Sequence, residues 1–245
     1  MNAPDSGDAW RVAALTMMPP DELRALLGGP DAVEWIKAAA ACGMPEAQVT
    51  LGRLLLDGQR VPRDASAALA CFEAAAEAGD PDAINMVGRC HEGGWGTAQD
   101  FEAAAAWYAR AADAGLAWAQ YNLGHLLLDG NGTERDLPAA FDCYMRAAAQ
   151  GHERAMNLVA RCYEEGWGVP HDVQAARDWY RRSAEGGYFR GAYNYATLLL
   201  VDGDVADAVS WFCCALGTAP SPTRENFVTA LARHPLAPVR ALVAA

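Results

Sequence analysis

Apolar and small residues fall along this chain in blocks, each closed by a glycine, and the blocks return. LGRLLLDG (Leu51 to Gly58) comes back as LGHLLLDG (Leu123 to Gly130), 72 residues on. Between the two lies VGRCHEGGWG (Val87 to Gly96), which returns by the same 72 as VARCYEEGWG (Val159 to Gly168). A finer period of 36 runs inside, carried by Gly52, Gly88 and Gly124 and by Asp64, Asp100, Asp136 and Asp172. Self-similarity at this length predicts a solenoid of helix pairs, each burying its apolar face against the next.

Every full unit has one grammar. A first helix opens near Pro45-Glu46, Pro81-Asp82 or Ala117-Trp118, where a proline costs nothing because its missing N–H would be unpaired anyway. It runs about three turns, roughly 18 Å, and stops at Gly58, Gly94, Gly130 or Gly166, the left-handed position where a Cβ would clash. An aspartate of the 36-residue series then caps a second helix, which ends at Gly79, Gly115, Gly151 or Gly187. Small residues recur where helices must approach closely: Gly52, Gly88, Gly124, Ala160 and Ala196 in the first helix, Ala75, Ala111, Ala147 and Ser183 in the second. Phe72, Tyr108, Tyr144 and Tyr180 mark the buried stripe of the second helix.

The ends depart from this grammar. Residues 1–30 read as an N-terminal helical cap, with Pro19-Pro20 stopping one short helix and Gly28-Gly29-Pro30 another. Residues 31–216 form the array: a half repeat over 31–46, full repeats over 47–82, 83–118, 119–154 and 155–190, and a shortened one over 191–216. Trp211-Phe212 follows Trp179-Tyr180 by 32 residues instead of 36. Residues 217–245 read as a C-terminal helical cap, the polar-faced end that an open array needs to stay soluble.

The formal net charge is -12, which disfavours nucleic acid and anionic membranes as partners. No apolar stretch reaches 18 residues and the N-terminus carries no basic region ahead of an apolar one, so a cytoplasmic protein is expected. Lys37 is the sole lysine and alanine is abundant, a bias that hints at a GC-rich bacterial genome.

The pattern A-x4-G-x5-G-x-G…D-x3-A-x3-Y-x2-A-A-x2-G is carried here by Ala83, Gly88, Gly94, Gly96, Asp100, Ala104, Tyr108, Ala111, Ala112 and Gly115. It resembles the Sel-one-like repeat (SLR) family, a slightly longer relative of the tetratricopeptide repeat, over roughly Asp31 to Leu216. The resemblance implies an all-α, right-handed α/α superhelix of antiparallel helix pairs. It also implies a non-enzymatic adaptor or scaffold that holds protein partners. A second class is a small-molecule or peptidoglycan-fragment binder, or a β-lactamase-like enzyme, as in the secreted cysteine-rich branch. That branch staples each repeat with a cysteine pair; the matching positions here, Ala76 with Ile84 and Ala112 with Gln120, hold none. Four of the seven cysteines instead recur 72 residues apart, Cys71 and Cys143, Cys90 and Cys162, which sets Cys71 level with Cys90 and Cys143 level with Cys162. They are expected to be unbridged neighbours acting as small apolar fillers, because packed helix axes stand 8–10 Å apart, beyond easy disulfide reach.

By the same resemblance, the first helices line the concave wall. The residue after each seam position reads Arg53, Arg89, His125, Arg161, Thr197. One turn back lie Thr50, Asn85, Asn122, Asn157 and Asn194, with Tyr121 and Tyr193 adjacent. Positions three and four apart share a face, so a basic, amide-rich ladder is expected to grip an extended or C-terminal peptide of acidic character, guanidinium forks taking its carboxylates. Trp95 and Trp167 fill the loop slot that alternate repeats give to Gln59 and Asn131. They are read either as exposed anchors for a partner or as rings folded back over their own helix pair. His91, His125, His152, His171 and His234 show no metal-ligand spacing. There is no nucleotide loop, nucleophile elbow or paired-carboxylate motif, Glu164-Glu165 reads as a solvated helix end, and no catalytic residue, metal or cofactor is assigned.

Overall fold

The computed structural model describes residue 29 and residues 31–244; the expected N-terminal cap therefore lies almost wholly outside the described residues. Among these there are thirteen helices and no strand. They are α1 (Ala32–Ala41), α2 (Pro45–Asp57), α3 (Ala65–Glu77), α4 (Pro81–Gly93), α5 (Phe101–Asp113), α6 (Ala117–Asp129), α7 (Leu137–Ala149), α8 (Glu153–Glu165), α9 (Val173–Glu185), α10 (Phe189–Asp202), α11 (Val205–Thr218), α12 (Ser221–Ala232) and α13 (Ala237–Ala241). The chain forms two compact units. One takes the described residues up to 119 together with 130–134, and the other takes 120–129 and the described residues from 135 onward.

In the first unit each of α1 to α5 packs on its neighbour in sequence, and α2 also touches α4. In the second unit α7 to α11 do the same, and α8 also touches α10. This is the fold class that the period predicts: antiparallel helix pairs in which like helices lie side by side.

Local chemistry sets the helix starts. Asp64, Asp100, Asp136 and Asp172 each sit in extended backbone and accept a bond from the N–H three residues on, at 2.9 to 3.0 Å. Such a cap is worth about 1 kcal/mol over alanine. The same aspartates are tied back to the helix before them, since their N–H groups donate to the carbonyls of Leu55, His91, Leu127 and Tyr163, each at 2.9 Å. The loop between the two helices of a pair is thus held at its far end in every full repeat.

The seam between the helices is closed by an aromatic ring lying on a glycine. A Cβ at Gly52 would stand 2.5 Å from the Phe72 ring, at Gly88 2.7 Å from Tyr108, and at Gly124 2.6 Å from Tyr144. Those rings and Tyr180 are fully buried, each contributing roughly 1.5–3 kcal/mol over an exposed side chain. Ala160 and Ala196 take the glycine's place in the last two first helices and are themselves fully buried.

A second close approach joins successive pairs. Gly96, Gly132 and Gly168 all have positive φ, and each lies against the start of the preceding second helix: Ala65-Ser66, Phe101-Glu102 and Leu137-Pro138 in turn. In the first full repeat the equivalent residue is Arg60, which keeps the left-handed backbone at φ 63. Arg60, Val61 and Pro62 there line an open cleft opposite Gly29, Val33, Glu34 and Lys37. Arg60 pays the strain that glycine avoids elsewhere. Arg60→Gly is therefore expected to stabilise the protein by about 0.5–1 kcal/mol, the left-handed cost less the entropy that glycine adds to the unfolded chain. An unchanged or lower midpoint in urea unfolding would show that the arginine side chain offsets its backbone.

At the other end α12 and α13 close the apolar edge of the shortened repeat. Leu231 and Val239 are buried in one cluster with Ala196, Leu199 and Phe212, and Phe227 stacks on Tyr193 with centroids 4.2 Å apart. The outward positions of α12 are mostly polar, among them Ser221, Arg224, Glu225, Asn226 and Thr229, all exposed. Partly buried Arg177 pairs with Asp202 between α9 and α10. All seven thiols are free. Burial pushes Cys90 and Cys162 up to about 11, so at neutral pH they stay protonated and behave as small apolar fillers.

Candidate functional site

In the first unit, Arg53 on α2 is exposed and reaches Asp82 on α4 at 3.9 Å, a solvated pair worth little. Asn85 on α4 is buried, whereas Arg89, one turn on, is exposed. The Arg89 guanidinium lies over the Trp95 ring, 5.3 Å from its centroid, with one Nη 3.5 Å from the Met86 sulfur. Trp95 is half-buried and covers Gly93, where any Cβ would strike the indole.

The second unit repeats this arrangement. Arg161 on α8 is exposed and lies 4.8 Å above the centroid of half-buried Trp167. Both tryptophans are thus folded back over their own helix pair, and each has an arginine over its ring. Each stack is worth about 0.5–1 kcal/mol at an exposed site, and it fixes the plane of a side chain that would otherwise wander.

The same two repeats each hold a buried tyrosine bound to a carboxylate. Tyr108 donates its hydroxyl to Glu92 at 2.5 Å, and Tyr180 donates to Glu164 at 2.6 Å. Burial, then the carboxylate, raises both phenols well above their usual range, so both remain donors. Glu164 is therefore not the solvated helix end that the sequence suggests. It is half-buried because Tyr180 reaches it from the facing helix, while Glu165 is exposed. In the alternate repeats the same slot holds Leu56, opposite Phe72, and Leu128, opposite Tyr144.

The remaining ladder residues of the second unit form two groups. Tyr121, half-buried, meets His125 edge-on at 4.6 Å and stacks with His152 at 4.9 Å, and His125 in turn stands 5.6 Å from the Tyr144 ring. Asn122 is half-buried beside them. Farther on, Asn194 donates its amide to Asn157 Oδ1 at 3.0 Å, linking α10 to α8, with Asn157 itself buried. Tyr193 lies under Phe227.

Sequence reasoning gave His152 no role. Its Nδ1 accepts the N–H of Ala155 at the start of α8, the duty that Asp80 performs for α4. Burial lowers its pKa, in keeping with a neutral ring that caps through a lone pair. The same slot as Asp80, one 72-residue period on, was the signal available.

Residues 45–80, 81–116, 119–152 and 153–188 each match the family model described as Sel1 repeat, together more than half of the chain. Among solved structures, a Sel1 repeat protein from Oxalobacter formigenes is 23% identical with a TM-score of 0.79, over 91% of this chain and 95% of that one. A protective antigen of uropathogenic Escherichia coli strains, displaying an SLR fold, is 25% identical with a TM-score of 0.74 over 97% of this chain. The chain spans about half, 53%, of that antigen's length. An immunity protein from Pseudomonas aeruginosa shares the fold at 16% identity and a TM-score of 0.56, over 82% of this chain and 75% of that one. No curated protein matches the chain. Among the described residues no helix is long and apolar enough to cross a membrane.

Proposed function

The chain belongs to the Sel1 repeat family, and from that premise we propose that it is a non-enzymatic adaptor whose first-helix faces hold a protein partner through an extended, acidic segment. Sel1 repeat proteins are in general protein-interaction scaffolds, and the fold is typically non-catalytic. The observation that carries the finer reading is the pair of arginines laid on tryptophans, Arg89 on Trp95 and Arg161 on Trp167. Acids outnumber bases 31 to 19 in this chain, yet among the described residues neither arginine meets a carboxylate within ion-pair distance. A guanidinium whose plane is already fixed loses less freedom on taking a carboxylate bidentately. We place the protein in the cytoplasm, a compartment that suits seven unbridged thiols.

Selection from a random displayed peptide library on the immobilised protein tests this. Selected peptides are expected to be enriched in Asp and Glu. Arg89→Ala with Arg161→Ala is expected to weaken the best of them about tenfold or more, the loss usual for an arginine anchor. Unchanged affinity in the double variant would rule the arginines out as the grip.

A further inference from the structure

Resting on that reading, we propose that Tyr108 and Tyr180 are positioning residues. They draw Glu92 and Glu164 away from Arg89 and Arg161, so that each guanidinium is kept for a partner's carboxylate at one of two repeated sites. Arg89 and Glu92 stand three apart on α4, and Arg161 and Glu164 three apart on α8, the spacing at which opposite charges pair along a helix. Such pairs do form elsewhere in this chain. Lys37 meets Glu34 at 2.8 Å, and Arg181 meets both Asp178 and Glu185 at 3.4 and 3.9 Å. At Arg89 and Arg161 the pair is absent in both copies, and in both copies the glutamate instead receives a tyrosine hydroxyl at 2.5 or 2.6 Å.

The diversion is chemically sound. A buried phenol with raised pKa is a permanent donor, and its bond to a carboxylate is charge-assisted and strong. Each glutamate is committed to the second helix, and its arginine settles on the indole. Where the glutamate slot holds leucine, at Leu56 and Leu128, the loop slot holds Gln59 and Asn131. Glutamate and tryptophan occur together or not at all, so the arrangement is a unit repeated with the 72-residue period and not an accident of one helix.

The test uses N-acetyl-triglutamate, with N-acetyl-triglutamine as neutral control, followed by the indole N–H resonances of Trp95 and Trp167 at low ionic strength. Both resonances are expected to report binding, the Trp167 site being the weaker because exposed Glu165 stands four residues after Arg161 where Gly93 stands after Arg89. Tyr108→Phe with Tyr180→Phe is expected to weaken both sites about fivefold, the reach of a newly formed exposed ion pair. Adding Glu92→Gln and Glu164→Gln should restore them, because the carboxylates released by the lost hydroxyls are then gone, while exposed Glu165, four residues after Arg161, is the same in every variant. Unchanged affinity in the Tyr→Phe variant, or a loss that the Gln changes fail to rescue, overturns the proposal; loosened packing alone would not be rescued. Should the wild-type protein ignore the charged probe, the acidic-partner reading fails, and a measurement without ligand decides the positioning role. Urea unfolding of the Arg89→Gln and Glu92→Gln cycle should show coupling between the two residues only in the Tyr108→Phe background. Coupling of equal size with Tyr108 in place overturns it.

Discussion

Gly168→Ala is expected to cost about 2–5 kcal/mol of stability, and Gly187→Ala only about 1–2, although both replace a glycine of nearly equal backbone. The two have φ of 71° and 88°, so each alanine carries the same left-handed penalty, roughly 1–2 kcal/mol. They differ in what surrounds them. Nothing lies within 4 Å of a Cβ at Gly187. A Cβ at Gly168 would drive into the Leu137 carbonyl and come within 2.7 Å of the Pro138 nitrogen. Backbone cannot turn aside as a flexible side chain can, so the loop must lift off the start of α7, with an overpacking loss of about 1–3 kcal/mol added to the first. Urea unfolding of the two variants separates these terms, since both lie in the same compact unit. Equal losses would show that the loop is free to move and that this close approach does not fasten one helix pair to the next.

What repeats in register is legible in the sequence itself. The seam glycines, the capping aspartates and the buried aromatic stripe are fixed by backbone geometry, and geometry that recurs every 36 residues leaves the same residue behind each time. The small residues at Gly52, Gly88 and Gly124 had to be small because rings from the facing helix lie on them. The candidate site was less legible because its side chains are set by partners on another helix. Whether Trp95 stands out or folds back depends on bare Gly93 beneath it and Arg89 above, and neither choice is written in the loop. Glu164 looked like any acid at a helix end, since the residue that buries it lies 16 positions away. One signal was present and unused: glutamate and tryptophan keep company at 92 and 95 and again at 164 and 167. The asparagine ladder shows the opposite failing. Asn85 and Asn157 share the predicted face but are buried, because a helical period gives the direction of a side chain and not the depth of its neighbours.

Tyr144→Phe and Tyr180→Phe remove the same atom from equivalent positions and are expected to shift stability in opposite directions. Both rings are essentially without solvent exposure. The Tyr180 hydroxyl has Glu164, whereas that of Tyr144 faces the slot held by Leu128, and its buried oxygen has no hydrogen-bond partner among the described residues. An unmade hydrogen bond in the interior costs about 1–3 kcal/mol in lost hydration, while swapping the group for an apolar one of the same shape leaves the packing intact. Tyr144→Phe should therefore raise stability by about 0.5–1.5 kcal/mol. Tyr180→Phe gives up a bond to a charged acceptor, worth about 1.5–3 kcal/mol, part of which returns if Glu164 turns to Arg161. A net loss of about 1–2 kcal/mol is expected, so the two variants should differ by about 1.5–3.5 kcal/mol in chemical denaturation. Matching losses would mean that Tyr144 finds a donor or acceptor in solution, most simply a trapped water. The opposed signs also bear on why tyrosine persists where it gains nothing: at 144 it supplies the ring that covers Gly124 and meets His125, for which phenylalanine, as at Phe72, would serve. The hydroxyl is useful only in the repeats that carry the glutamate, which ties the stability of those repeats to the same contact that keeps their arginines unpaired.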